Sequence, residues 1–278
     1  MSNLLSSGFS RLWKNKLFWL CIIFNIGFSC VLCTDRHTAK VEYGYEETID
    51  SIFYAYAPVM MMIIIPMFTT LFIGTEYSDG TIRNKFIIGH SRLSIYLSNL
   101  IVCSAANILI SAAAILTSIA VGFPLLGFFN MPIKNALYLT LCTFLADISM
   151  TALVTLIAML IQNKAGSAVA SIVIALALLM TTSIIYERLN EPELQTNYIY
   201  MDENGEIQPG DPAPNPLYVS GTTRAVLEFT NDFIPSGQSI QVSNLDVERS
   251  SRWWYFSLIL TAAAVGAGFE FFRRKDIR

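Results

Sequence analysis

The chain has 278 residues, 54% hydrophobic and 14% charged, with a formal net charge of −3 and a mean hydropathy of +0.51. A soluble domain carries about 25% charged residues, so this composition excludes one and points to an all-α polytopic membrane protein. The five cysteines, Cys21, Cys30, Cys33, Cys103 and Cys142, all fall in apolar runs, which excludes a loop disulfide framework or a spaced metal site and makes them packing residues.

Residues 1–16 place Leu5, Phe9, Leu12 and Trp13 at helical spacing, with Arg11, Lys14 and Lys16 on the remaining surface. That pattern makes an amphipathic helix at the membrane surface, its apolar face among the headgroups and its basic face toward anionic lipid. It serves equally as a plain basic flank to the first span. No small-residue cleavage pattern follows the apolar run after Lys16, so a cleavable signal peptide is not expected.

Six spans follow, each near or above the roughly 20 apolar residues a helix needs to cross a bilayer. They are expected at about 17–34, 52–74, 94–123, 135–161, 168–186 and 253–272. The second contains Pro58, Pro66 and the Met60-Met61-Met62 run, read here as packing features. The third is rich in Ala and Ser, which permit close helix approach. An acidic loop from Asp35 to Asp50 separates the first two spans, and a long polar segment, 187–252, separates the last two. Within it Asn204-Gly205 reads as a hairpin turn and Asp211–Pro216 as a loop. A helix capped by Thr222 or Thr223 runs to about Phe233, where Pro235-Ser236-Gly237 breaks it. Tryptophans 253 and 254 open the last span and Arg273-Arg274-Lys275 close it. The chain therefore divides into 1–16, 17–186, 187–252 and 253–278.

Orientation follows from charge. With both termini in the cytosol, the cytosolic segments hold eleven Lys and Arg against four acids. The opposite segments hold seven bases and sixteen acids, Asp147 lying within a span. The reverse orientation violates the positive-inside rule at almost every short loop.

The second and third spans are joined by a polar insert, Glu76 to Arg92, EYSDGTIRNKFIIGHSR. Glu76 to Ile88 is expected to form a helix along the membrane surface, with Ile82 and Phe86 on one face, Arg83 and Lys85 elsewhere, and Gly89 as the stop. The pattern Glu76, Gly80-Thr81, Arg83, Lys85, Gly89, Ser91-Arg92, with the basic ending FFRRKDIR, resembles the ABC type-2 transporter permeases. In that family Pro often stands where this chain has Gly89.

The resemblance implies an N-terminal elbow helix, a cytosolic coupling helix between spans two and three, and short re-entrant helices in the extracellular segment. A solvated cap is the equal alternative there, since the residues themselves offer only the amphipathic set Val226, Leu227, Phe229 and Phe233. It further implies a bacterial plasma-membrane exporter formed by two permease copies, a homodimer, with two copies of a separate cytosolic ATPase. Glu76, Gly80, Thr81, Arg83, Lys85 and Arg92 become the residues that couple to that ATPase, with Glu76 and Arg83 forming hydrogen bonds or ion pairs either to the ATPase or to the elbow helix. Membrane lipid is a further partner and nucleic acid is not.

No catalytic residues are evident: the phosphate-cradling G-x-x-x-x-G-K-[ST] loop, the G-x-S-x-G elbow and the H-E-x-x-H helix do not occur. No cofactor or metal is expected on this chain, ATP and Mg²⁺ belonging to the partner ATPase. Asp147 is the one acid deep within a span, where an ionisable group is a functional hypothesis by default. It either binds substrate or a proton, or bonds to Ser or Thr on a neighbouring helix, with Asn107 of the third span a candidate partner.

The leading reading is the permease subunit of an ABC exporter for amphipathic or hydrophobic peptides. Drugs, lipids or sodium are alternative cargoes. A proton-coupled secondary transporter using Asp147 is the alternative mechanism, and a ligand sensor that uses the outer segment a third class.

Overall fold

The computed structural model describes residues 1–45, 48–50, 56–196, 199–201, 207–209 and 211–274. Its helices are α1 (Ser2–Trp13), α2 (Lys16–Tyr43), α3 (Ala57–Ser78), α4 (Thr81–Ile87), α5 (Arg92–Leu126), α6 (Ile133–Ile161) and α7 (Lys164–Asn190). After four short strands come α8 (Gly221–Phe233), α9 (Pro235–Ser243), a 3-10 turn (Glu248–Arg252) and α10 (Trp253–Arg274). Six of these helices, α2, α3, α5, α6, α7 and α10, are long and apolar enough to cross a membrane. The chain is an all-α polytopic membrane protein.

The spans differ in how much they bury. Two thirds of the most apolar window of α3 is covered by its neighbours, against about a quarter for α2, α7 and α10. Helix α3 packs against α6 and α7, α5 against α2 and α6, and α10 against α6. Phe68, Phe72 and Ile65 of α3, Tyr96 and Ile110 of α5, and Met150 and Met159 of α6 share one core. Met61 and Met62 are fully buried in it, and α3 continues unbroken through the buried Pro66.

Several boundaries differ from the sequence reading. Helix α2 continues nine residues past Thr34, taking up the start of the expected acidic loop. Hydropathy ends at Asp35, but side chains of the extended helix find a tertiary partner: His37 Nδ1 and Lys40 Nζ lie 3.0 and 3.3 Å from the carbonyls of Leu125 and Leu126. These are carbonyls from the last turn of α5 that lack an intrahelical donor. Asp50 accepts the backbone N–H groups of Asn130 and Met131 at 2.8 and 3.0 Å, pinning the turn between α5 and α6.

In the polar segment, Leu194–Thr196 (β1) pairs antiparallel with Pro212–Pro214 (β4). The expected loop at 211–216 is thus partly strand, its Pro residues tolerated in a two-stranded ladder that is all edge. Ile199–Met201 (β2) pairs with Ile207–Pro209 (β3) as the hairpin reading requires. The turn itself, Asn204-Gly205, lies outside the described residues, as do 52–55 of the second span and 275–278 of the basic tail.

Helices α8 and α9 form a hairpin folded back into the bundle. The break falls at Ile234, and Pro235 opens α9. The cap of α8 is Ser220, without a side-chain hydrogen bond, in place of Thr222 or Thr223. Helix α9 is polar yet buried: Ser236, Gln238, Ser239 and Gln241 are nearly inaccessible among α3, α6 and α7. Two of its polar groups are answered from the bundle, Thr182 Oγ1 donating to Ser236 Oγ at 3.1 Å and Ser257 Oγ to Gln238 Oε1 at 2.8 Å, while Gln241 Oε1 has no partner among the described residues. A solvated cap does not describe this part of the segment.

Candidate functional site

The insert between α3 and α5 is a two-part element. Glu76 belongs to the last turn of α3, which ends at Ser78. Gly80, at φ +67°, turns the chain into the seven-residue α4. The single surface helix expected from Glu76 to Ile88 is therefore broken at Asp79-Gly80, because a left-handed residue cannot continue a right-handed helix. Thr81 Oγ1 donates to the Glu76 carbonyl at 3.1 Å across that corner. Helix α4 ends as expected at Gly89: His90 N–H reaches the Lys85 carbonyl and Gly89 N–H the Phe86 carbonyl, a Schellman pair.

Glu76 is the centre of this corner. Its side chain is 3% exposed, and three elements converge on it. Arg11 of α1 pairs with Oε1 at 2.5 Å, Lys85 of α4 also pairs with Oε1, and Asn99 Nδ2 of α5 donates to Oε2 at 2.9 Å. A carboxylate at a helix C-terminus meets the negative end of the helix dipole, and the two cations offset that penalty. Arg11 also lies over the Phe72 ring, 3.9 Å from its centroid. The sequence pattern groups Arg11 with Lys14 and Lys16 on an outward basic face; here it turns inward, with Leu4 and Leu12 buried beside it and Trp13 about half exposed.

The remaining candidates of this insert separate into two sets. Arg92, at the start of α5, donates to the Phe272 carbonyl at 2.7 Å and lies 5.7 and 5.9 Å from the Phe86 and Phe272 ring centroids. It joins the end of α10 to α4. Ile82 is buried and Phe86 half-buried, the apolar face expected of them. Arg83 and Asn84 are exposed, and so are Ile87 and Ile88, at 82% and 75%. Two adjacent isoleucines facing outward were not singled out by sequence reasoning. Their signal is that they fall off the Ile82–Phe86 face at helical spacing.

A second cluster lies inside the bundle. Asp147 of α6 is fully buried, and neither carboxylate oxygen has a hydrogen-bond partner among the described residues. The Ser111 hydroxyl of α5 stands beside it, itself unpaired. Asn107 does not bond Asp147. Its Nδ2 donates to Thr69 of α3 at 3.0 Å and to Thr151 of α6 at 2.9 Å, one helical turn along. Thr151 Oγ1 in turn donates to the Asp147 backbone carbonyl at 2.7 Å. The helices meet as expected, but the amide is used to join three of them and its Oδ1 is left without a donor.

Among the described residues no group of three or more His, Cys, Asp and Glu could hold a metal ion. An apolar groove of about 380 Å³ runs between α2 and α3, lined by Leu20, Phe24, Met60, Ile63, Ile64 and Met67. Residues 34–200, more than half of the chain, match the family described as ABC-2 family transporter protein. No curated protein and no solved structure matches the chain.

Proposed function

The chain belongs to the ABC-2 family of transporter proteins and is a multi-pass membrane permease subunit; on that premise we propose that it forms an exporter with a second copy of itself and two cytosolic ATPase subunits. ATP and Mg²⁺ bind the ATPases. Both termini and the α3–α5 corner face the cytosol, at a bacterial plasma membrane. The exposed face of α4, with Arg83, Ile87 and Ile88, docks on the ATPase. Glu76 carries movement of that face into α1, α3 and α5 together.

The observation that supports this reading is the convergence of Arg11, Lys85 and Asn99 on one buried carboxylate. A solvated turn needs no such joint; a lever does. ATP binding closes the ATPases, α4 is displaced, and the ion cluster makes α1 and the ends of α3 and α5 move with it. ATP shifts the equilibrium only by its differential affinity for the inward and outward states. Gly80 and Thr81 hold the corner's shape, and Arg92 ties α10 to it. The groove between α2 and α3 is wholly apolar, which suits amphipathic or hydrophobic peptides as cargo.

The test is co-purification with ABC ATPase subunits from the same cell. The wild type should form a stable complex in detergent, and Arg83→Ala/Ile87→Asp should lose it while remaining folded. An ATPase that never binds, or binds the double variant equally well, refutes the docking assignment.

The unpartnered carboxylate of Asp147 favours a second reading, in which the bundle carries a proton on that residue. Transport that persists without any ATPase and follows the proton gradient would select it.

A further inference from the structure

At the end of the bundle away from Glu76, a polar cavity of about 270 Å³ is lined by Glu228, Asp232, Arg249, Ser251 and Arg252. Its walls come from α8 and from the turn that leads into α10. Two carboxylates and two guanidinium groups face one small space, so the lining is charged but balanced. Such a space is complementary to a ligand of no net charge that carries both signs.

The charges are only partly used within the protein. Glu228 Oε1 pairs with Arg224 at 2.9 Å, and Arg249 Nε approaches Asp246 at 3.5 Å. The Nη1 of Arg249 is buried without a partner among the described residues. Asp232 is 7% exposed, with one oxygen accepting from the Trp253 indole N–H at 3.2 Å. Burial pushes its carboxyl above the usual carboxylate range, against the pull of that N–H and of Arg249 and Arg252. A cation in the cavity would favour its ionised form.

The surroundings of the cavity mark its depth. Arg252 is followed directly by Trp253 and Trp254, which open the last span, and Trp254 is 44% exposed. Trp253 is buried in the protein, so Trp254 is the ring of the pair that faces outward, and an exposed tryptophan at a span's end sits at the headgroup level. On α8, Phe229, which follows the cavity residue Glu228 in sequence, is more than half exposed. Exposed aromatic side chains within two residues of a charged recess, at headgroup depth, fit a molecule with a charged head and acyl tails.

We propose that this cavity binds the zwitterionic headgroup of an amine-bearing phospholipid, its phosphate on Arg249 and Arg252 and its ammonium on Glu228 and Asp232. The acyl chains lie against Phe229 and Trp254. The primary ammonium supplies three N–H donors to the carboxylates, which a quaternary ammonium lacks. This site rests on the protein's crossing a membrane and is independent of its cargo and its ATPase.

The experiment is thermal unfolding of the purified full chain, read by tryptophan fluorescence in mixed micelles. Dioleoyl phosphatidylethanolamine, phosphatidylcholine and phosphatidylglycerol are added in turn, with soluble phosphoethanolamine as a separate arm. The ethanolamine lipid should raise Tm by about 5 °C at saturation, the other two lipids by less than half of that. Arg252→Ala and the cavity-filling Ser251→Trp should each remove the increment without lowering the lipid-free Tm. Arg83→Ala, at the other end of the bundle, should keep it. A similar increment from soluble phosphoethanolamine would assign the site to a free aminophosphate and overturn the lipid proposal. Equal increments from all three lipids, or an increment retained in both cavity variants, would overturn it as well.

Discussion

Replacing Glu76 by Gln would leave Arg11 and Lys85 facing one another across a neutral amide. Removing one partner of a buried ion pair strands the others, at a cost of about 3 kcal/mol, so Glu76→Gln should lower Tm in detergent markedly. Arg11→Ala should cost less, since Lys85 and Asn99 still answer the carboxylate. Asn107→Ala removes two hydrogen bonds that join three spans and should cost about 1–2 kcal/mol, the upper range for such bonds within a membrane. Asp147→Asn replaces a carboxyl without hydrogen-bond partners by a neutral group of the same shape; Tm should stay level or rise, as measured by the same unfolding assay. Glu76 was legible in the sequence because a carboxylate stands where an apolar span meets a polar insert. An ion pair to the N-terminal helix is one of the two expectations for it, but that Arg11 supplies the charge was not legible, because helical spacing is local and does not say which face a neighbouring helix will cover.

Among the elements, α9 shows most clearly where pattern reading stops. Hydropathy marks Ser236–Ser243 as a solvent-facing stretch, yet it is buried, with Ser236 and Gln238 matched by Thr182, Ser257 and the Asp232 carbonyl. Such matches involve residues 15 or more positions apart as well as near neighbours, and no periodicity records them. Gly237 makes the hairpin possible, for a Cβ there would lie 2.2 Å from the Asn231 carbonyl oxygen. Backbone at that distance cannot step aside, so Gly237→Ala should destabilise the hairpin by about 2 kcal/mol and speed hydrogen exchange across α8 and α9. The six long helices were legible throughout, because their apolar runs exceed what a bilayer needs. Their ends were less so: α2 outlasts its hydropathy where His37 and Lys40 reach the end of α5.

For the molecule as a whole, burial sorts the spans into an interior, α3, α5 and α6, and an outer set with broad apolar faces. In α2, Leu20, Ile23 and Val31 are each more than 60% exposed. Lipid accepts such faces without cost, and the proposed second copy would cover part of one. The family was legible from the 76–92 insert together with the span layout, since few arrangements place that polar set between two long apolar runs. The joint itself required the fold, because Arg11, Glu76, Lys85 and Asn99 come from four helices. In the proposed function this joint carries ATPase motion into the membrane. The most direct measurement is cargo-stimulated ATP hydrolysis by the permease–ATPase complex in proteoliposomes, wild type against Glu76→Gln. The variant should still bind the ATPase but lose stimulation roughly tenfold, about 1.4 kcal/mol in activation free energy. Full stimulation in a folded, ATPase-bound Glu76→Gln complex would contradict it.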